Sequence, residues 1–129
     1  QRQMCIRDSS EGEYEPGRLA LKPVDIRSQG LAAGLVFLSS IRVTGEPHSE
    51  FTSRPALISD FLTAGADAVV VNLWSGDAGS NEKFVTEFYH GLKESGNIAE
   101  ALRSTKLSFL KNNREKSLND WAGYQLYIR

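Results

Sequence analysis

Two apolar runs, Gly34-Leu-Val-Phe-Leu38 and Ala68-Val-Val-Val-Asn-Leu-Trp74 with Asn72 inside it, stop abruptly in polar, glycine-containing loops. Short runs without polar alternation predict strands covered on both faces, as in a parallel sheet. Between them Leu57, Ile58, Phe61 and Leu62 recur at helical spacing, which predicts a crossover helix over residues 55–64. Ser53 is its candidate N-cap, Pro55 lies just inside it, and Gly65 is placed to end it in a left-handed conformation. Such a strand–helix–strand unit is expected to be right-handed. In open α/β sheets, function gathers in the loops outside the carboxyl ends of the strands.

Downstream, Phe84, Val85, Phe88, Tyr89 and Leu92 mark a third helix, closed by Gly91 or Gly96. Asn97-Ile-Ala-Glu100 fits a capping box, with Asn97 on the amide of Glu100 and Glu100 reaching back. Ile98, Ala101, Leu102, Thr105 and Phe109 follow on one face of a fourth helix. Trp121, Tyr124, Leu126, Tyr127 and Ile128 form a final aromatic patch, expected as a short edge strand. Upstream, Arg18–Lys22 reads as another edge strand and Val24–Gln29 as one helical turn. Residues 1–9 have no helical or strand periodicity and resemble a translated sequencing-adapter leader. Residues 1–17 are therefore set aside as an artefactual or disordered leader, leaving 18–129 as the domain. Two central and two edge strands fall short of the about five or six of a doubly wound sheet. The expectation is a carboxyl-terminal part of an α/β domain whose amino-terminal part is missing.

Composition narrows the function classes. Fifteen basic residues against sixteen acidic leave a net charge of −1, so no global field draws the chain to nucleic acid or to an anionic membrane. The longest apolar run is far too short to span a bilayer. Cys5 is the single cysteine, which precludes an intrachain disulfide and suits a reducing, cytoplasmic location. His48 and His90 with one remote cysteine do not supply a structural zinc cluster, and no metal or cofactor is expected. Ser75-Gly-Asp-Ala-Gly-Ser80 lacks the lysine and spacing of a phosphate-binding loop.

The order of elements resembles the CHAT family, caspase-like domains often found beside tetratricopeptide repeats. The resemblance rests on Leu35-Val-Phe-Leu-Ser-Ser40 with Thr44-Gly45, Phe61-Leu-Thr-Ala-Gly-Ala66, and Val69-Val-Val-Asn-Leu-Trp74 with Asp77. Phe88-Tyr89, Ala101-Leu102 and Trp121-Ala-Gly-Tyr124 extend it over residues 18–129. It implies a three-layer α/β/α, caspase-like (Rossmann-like) fold with a parallel sheet. Active members of the family are similar to caspases and separase. A cysteine after the strand matching residues 35–40 attacks the peptide carbonyl, and a histidine on the preceding strand activates it. This chain departs twice: Ile41 stands at the family's nucleophile position, and the histidine strand is expected upstream of residue 18.

The remaining polar groups have plain readings beside functional ones. Ser39 and Ser40 are conceivable substitute nucleophiles, but serines at a strand end ordinarily satisfy loop amides. His48 in a Glu-Pro-His-Ser loop reads as solvent-exposed. The resemblance puts Asp77 near the pocket for the residue before the scissile bond, and Asp77 equally fits a cap for the helix starting near Ser80. Trp74 reads as a pocket wall or as core packing. Arg103, Lys106, Lys111, Arg114 and Lys116, diluted by Glu100, Glu115 and Asp120, read as a solvated helix face. The candidate pocket is thus Ser39, Ser40, Trp74 and Asp77. The expected function is an inactive or truncated caspase-like domain that binds protein or peptide, helical-repeat regions of its own chain included. An active CHAT-type cysteine endopeptidase, when complete, is the second reading, and an unrelated α/β small-ligand-binding domain the third.

Overall fold

The two apolar runs form the paired centre of a mixed α/β unit. In the computed structural model they are β2 (Leu35–Leu38) and β3 (Ala68–Asn72), every residue of both buried. The structure describes residues 3–6, 23–28, 30–39, 54–74, 78–112 and 118–129. The other elements are β1 (Gln3–Ile6), α1 (Pro23–Ser28), α2 (Arg54–Ala64), α3 (Ala78–Ser95), α4 (Ile98–Asn112), a 3-10 turn at Leu118–Asp120 and β4 (Tyr124–Ile128).

The strand order is β1-β2-β3-β4. β2 and β3 pair in parallel, with Val36 opposite Val69 and Leu38 opposite Val71. Two further pairings complete the sheet, and the second corrects the expectation of a parallel one. Gln3–Ile6, set aside with the leader, pairs in parallel with β2. β4 runs antiparallel to β3, Tyr124 opposite Asn72 and Ile128 opposite Ala68, so the sheet is mixed. The reversal follows from the connection: α3 and α4 form a hairpin that returns the chain to the carboxyl end of β3, from which only an antiparallel strand can start. The expected strand at Arg18–Lys22 and the N-cap at Ser53 lie outside the described residues.

Alternation along the strands divides the core between the two sheet faces. Leu35, Phe37, Ala68 and Val70 meet Phe84, Phe88 and Leu92 of α3, Ala101, Leu102 and Phe109 of α4, and Tyr124. Val36, Leu38, Val69 and Val71 meet Ile26 of α1 and Ile58, Phe61 and Ala64 of α2. Leu57 and Leu62 pack against this second cluster, so the face expected for α2 is the one it buries. The first face is built of rings. Phe84 stacks on Tyr124 at 3.9 Å and 2°, and Phe37 lies 5.0 Å from Phe88.

The helix ends show why the chain turns where it does. α2 stops at Gly65, whose φ of +117° favours glycine and whose missing Cβ leaves room for the Leu31 carbonyl oxygen. α3 runs past Gly91 and ends before Gly96, at φ +65°. The Glu100 N–H donates to Asn97 Oδ1 at 3.1 Å, the expected first half of a capping box. The Asn97 N–H, however, donates to Ser95 Oγ at 3.2 Å. Ser95 thus does what the sequence reading assigned to Glu100, because the tight turn brings its hydroxyl nearer.

On the α2 side one charged group among the described residues is buried. The Asp60 side chain is only 8% exposed and accepts from Arg27 Nε of α1 at 2.7 Å. Its other oxygen, Oδ2, is buried without a hydrogen-bond partner. No helix among the described residues is long and apolar enough to cross a membrane.

Candidate functional site at the carboxyl ends of the strands

Parallel pairing sets the geometry of this end of the sheet. Leu38 lies opposite Val71, so Ser39 and Asn72 come next, abreast on the two strands. Tyr124 pairs with Asn72 from the other side. Ser39 is buried at the end of β2. Ser40, Ile41, His48 and Asp77 lie outside the described residues, so of the four candidate pocket residues only Ser39 and Trp74 can be located.

Trp74 is 40% exposed, which removes the core-packing reading. Its indole N–H donates to the Asn119 carbonyl at 2.9 Å, pinning the ring to the 3-10 turn. One residue earlier, the Leu73 N–H donates to the Gly123 carbonyl at 2.9 Å. Gly123 is required by close approach: a Cβ there would collide with Asn72 Oδ1 and lie 2.8 Å from Trp74 Cε2. The Trp121-Ala-Gly-Tyr124 segment is therefore the floor beneath the Trp74 ring.

Behind that floor lies a polar knot that sequence reasoning missed. The Tyr124 hydroxyl donates to Asn81 Oδ1 at 3.0 Å, and Asn72 Nδ2 approaches the same oxygen at 3.4 Å. Asn72 Oδ1 is buried with no hydrogen-bond partner of good geometry. Burial pushes the Tyr124 phenol above its ordinary range, opposed in part by the neighbouring Asn72 amide. The knot joins the end of β3, the first turn of α3 and the start of β4. One sequence signal pointed to it: Asn72 is the single polar residue in an apolar strand, and buried polar groups draw partners to themselves.

No nucleophile–base pair is assembled among the described residues of this end. His90 lies on the outer face of α3, with Nδ1 3.6 Å from Glu94. A cleft of about 300 Å³ opens at the opposite end of the sheet, lined by Gly34, Leu35, Asp67, Ala68, Asn97 and Ile98 among others. Among its described lining residues the carboxylate is Asp67, held by Arg129 at 3.3 Å. This cleft and the end where α/β chemistry is expected are thus at opposite poles.

The family model described as "CHAT domain" matches residues 7–129. The chain is 31% identical to human "Tetratricopeptide repeat protein 28", over 92% of this chain and 5% of that protein. It is 32% identical to the mouse protein of the same name, over 84% of this chain and 4% of the relative. The chain thus spans about a twentieth of the length of these curated relatives. No solved structure matches it.

Proposed function

From the chain's membership in the CHAT domain family, we propose that it is a catalytically inactive, caspase-like module that binds protein or peptide within a larger repeat-containing protein. One observation carries the inactive half. β2 ends at Leu38, and the residues that follow are Ser39, Ser40 and Ile41, with a hydrocarbon where the family resemblance implies a cysteine. Ile41 offers neither thiolate nor hydroxyl, and a serine without a positioned base is inert. The relatives' name supports the binding half, since stacked helical repeats present extended concave surfaces for protein contact. Helical-repeat regions of the same protein are the partner class this favours.

Two measurements test the two halves separately. Lysyl, arginyl and aspartyl reporter peptides are expected to give no turnover with the 129-residue chain. Cleavage that survives Cys5→Ser but disappears in Ser40→Ala overturns the inactive reading in favour of serine chemistry. For binding, the chain is titrated calorimetrically into the helical-repeat region of the human relative. Measurable heat with a defined stoichiometry supports the module reading, and no interaction overturns it.

A further inference from the structure

The outer face of α4 does not read like an ordinary solvated helix. Ala101, Leu102, Thr105 and Phe109 are its buried side. On the opposite side Leu107 and Leu110 are 36% and 52% exposed. Three residues apart, they are neighbours on one helix face. A single exposed leucine needs no explanation. Here two adjacent ones are framed by Arg103 before them, Lys106 beside them and Lys111 after them. Across all of α4 those three cations outnumber one anion, Glu100, which sits three residues before Arg103. Burial lowers the Lys106 ammonium from its usual value.

Resting on the module reading above, we propose that this face of α4 docks an acidic amphipathic helix of the protein partner. The partner's apolar stripe covers Leu107 and Leu110, and its flanking carboxylates meet Arg103 and Lys111. Charge selects this occupant. A second copy of the chain would bring the same cations against one another, and like-charge juxtaposition opposes pairing. An apolar stripe with charged flanks, read at helical spacing, is how one helix recognises another.

The test is an NMR titration of the 129-residue chain with synthetic helical peptides. They share one leucine stripe and carry glutamate, lysine or serine flanks. The glutamate peptide is expected to shift the amides of Arg103, Leu107 and Leu110 and to bind about tenfold more tightly than the lysine peptide, the scale of two rim ion pairs changing sign. An Arg103→Glu, Lys111→Glu double variant is expected to reverse that preference, and Leu107→Ser with Leu110→Ser to abolish both. These positions are exposed, so the variants keep their fold, which unchanged amide shifts elsewhere will verify. Equal binding of the glutamate and lysine peptides, or shifts confined to the Trp74 end of the sheet, overturns the proposal. If the helical-repeat region still binds the charge-reversed variant with unchanged affinity, the module reading stands and this face is not its seat.

Discussion

Replacing Gly123 by alanine should loosen the Trp74 end of the sheet, and the cost follows from three distances. The added methyl collides with Asn72 Oδ1 and lies 2.8 Å from Trp74 Cε2 and 2.9 Å from Nε1. Asn72 belongs to the buried strand β3 and cannot retreat. Trp74 is partly exposed and can swing outward, but only by releasing its 2.9 Å bond to the Asn119 carbonyl. Overpacking of this kind costs about 1–3 kcal/mol, and the lost bond about 1 kcal/mol more. Gly123→Ala should therefore destabilise by about 2–4 kcal/mol, a large share of a small domain's stability. The assay is urea unfolding in a Trp121→Phe background, where fluorescence reports Trp74 alone. The midpoint should fall with the slope unchanged, and emission before unfolding should move to the red as the indole enters water. Gly96→Ala is the control: its Cβ meets nothing within 4 Å, though φ is +65°, so about 1–2 kcal/mol with no spectral shift is expected. A Gly123→Ala variant no costlier than this control, with unchanged emission, would refute the reasoning.

Three further outcomes are expected. Phe61→Ala should cost about 3–5 kcal/mol in the same assay, because Phe61 is buried between α2 and the sheet. The Tyr124 phenol is held above its ordinary value, so its stabilising contribution is intact below the unfolded value of about 10 and is lost as the pH rises beyond it. Urea midpoints measured from neutral to alkaline pH should thus fall more steeply for the parent than for Tyr124→Phe; parallel curves would contradict this. Arg27→Ala should cost more than Asp60→Asn, because the first leaves the buried Asp60 carboxylate unpaired while the second removes the charge itself. Thermal melts of the two variants decide the order.

Much of the fold was legible because apolar runs and helical periodicity are local signals. The strand segments β2 and β3, the α2 face of Ile58 and Phe61, the α3 and α4 faces and the Asn97 cap all follow from spacing within about ten residues. What failed was decided at longer range. Gln3–Ile6 carries no alternation, and only its pairing with β2 marks it as a strand. The direction of β4 depends on where the α3–α4 hairpin delivers the chain. The candidate site was legible as a place but not as a set of partners. Trp74 was named, whereas Asn81 of α3 and Asn119 and Gly123 of the segment before β4, which hold the ring and the knot behind it, come from two other segments. Ser95 displaced Glu100 at the α4 cap for a similar reason: a turn two residues long outcompetes a side chain reaching back from the helix.

The pairing of β4 with β3 also sets an order in time. Asn72 meets Tyr124 and Ala68 meets Ile128, so this ladder closes a loop containing all of α3 and α4. Loop closure of that span is entropically slow, whereas the α3–α4 hairpin and the β2–α2–β3 unit rely on near neighbours. β4 is accordingly the last strand to join, and Tyr124 should show a φ-value near zero while Phe61 and Phe88 show larger ones. During synthesis the outer edge of β3 stays open until residues 124–128 have been made, a window in which an unpaired strand can capture a neighbouring chain. The aromatic segment 124–128 thus acts on the nascent chain as a closing strip for the free edge of β3.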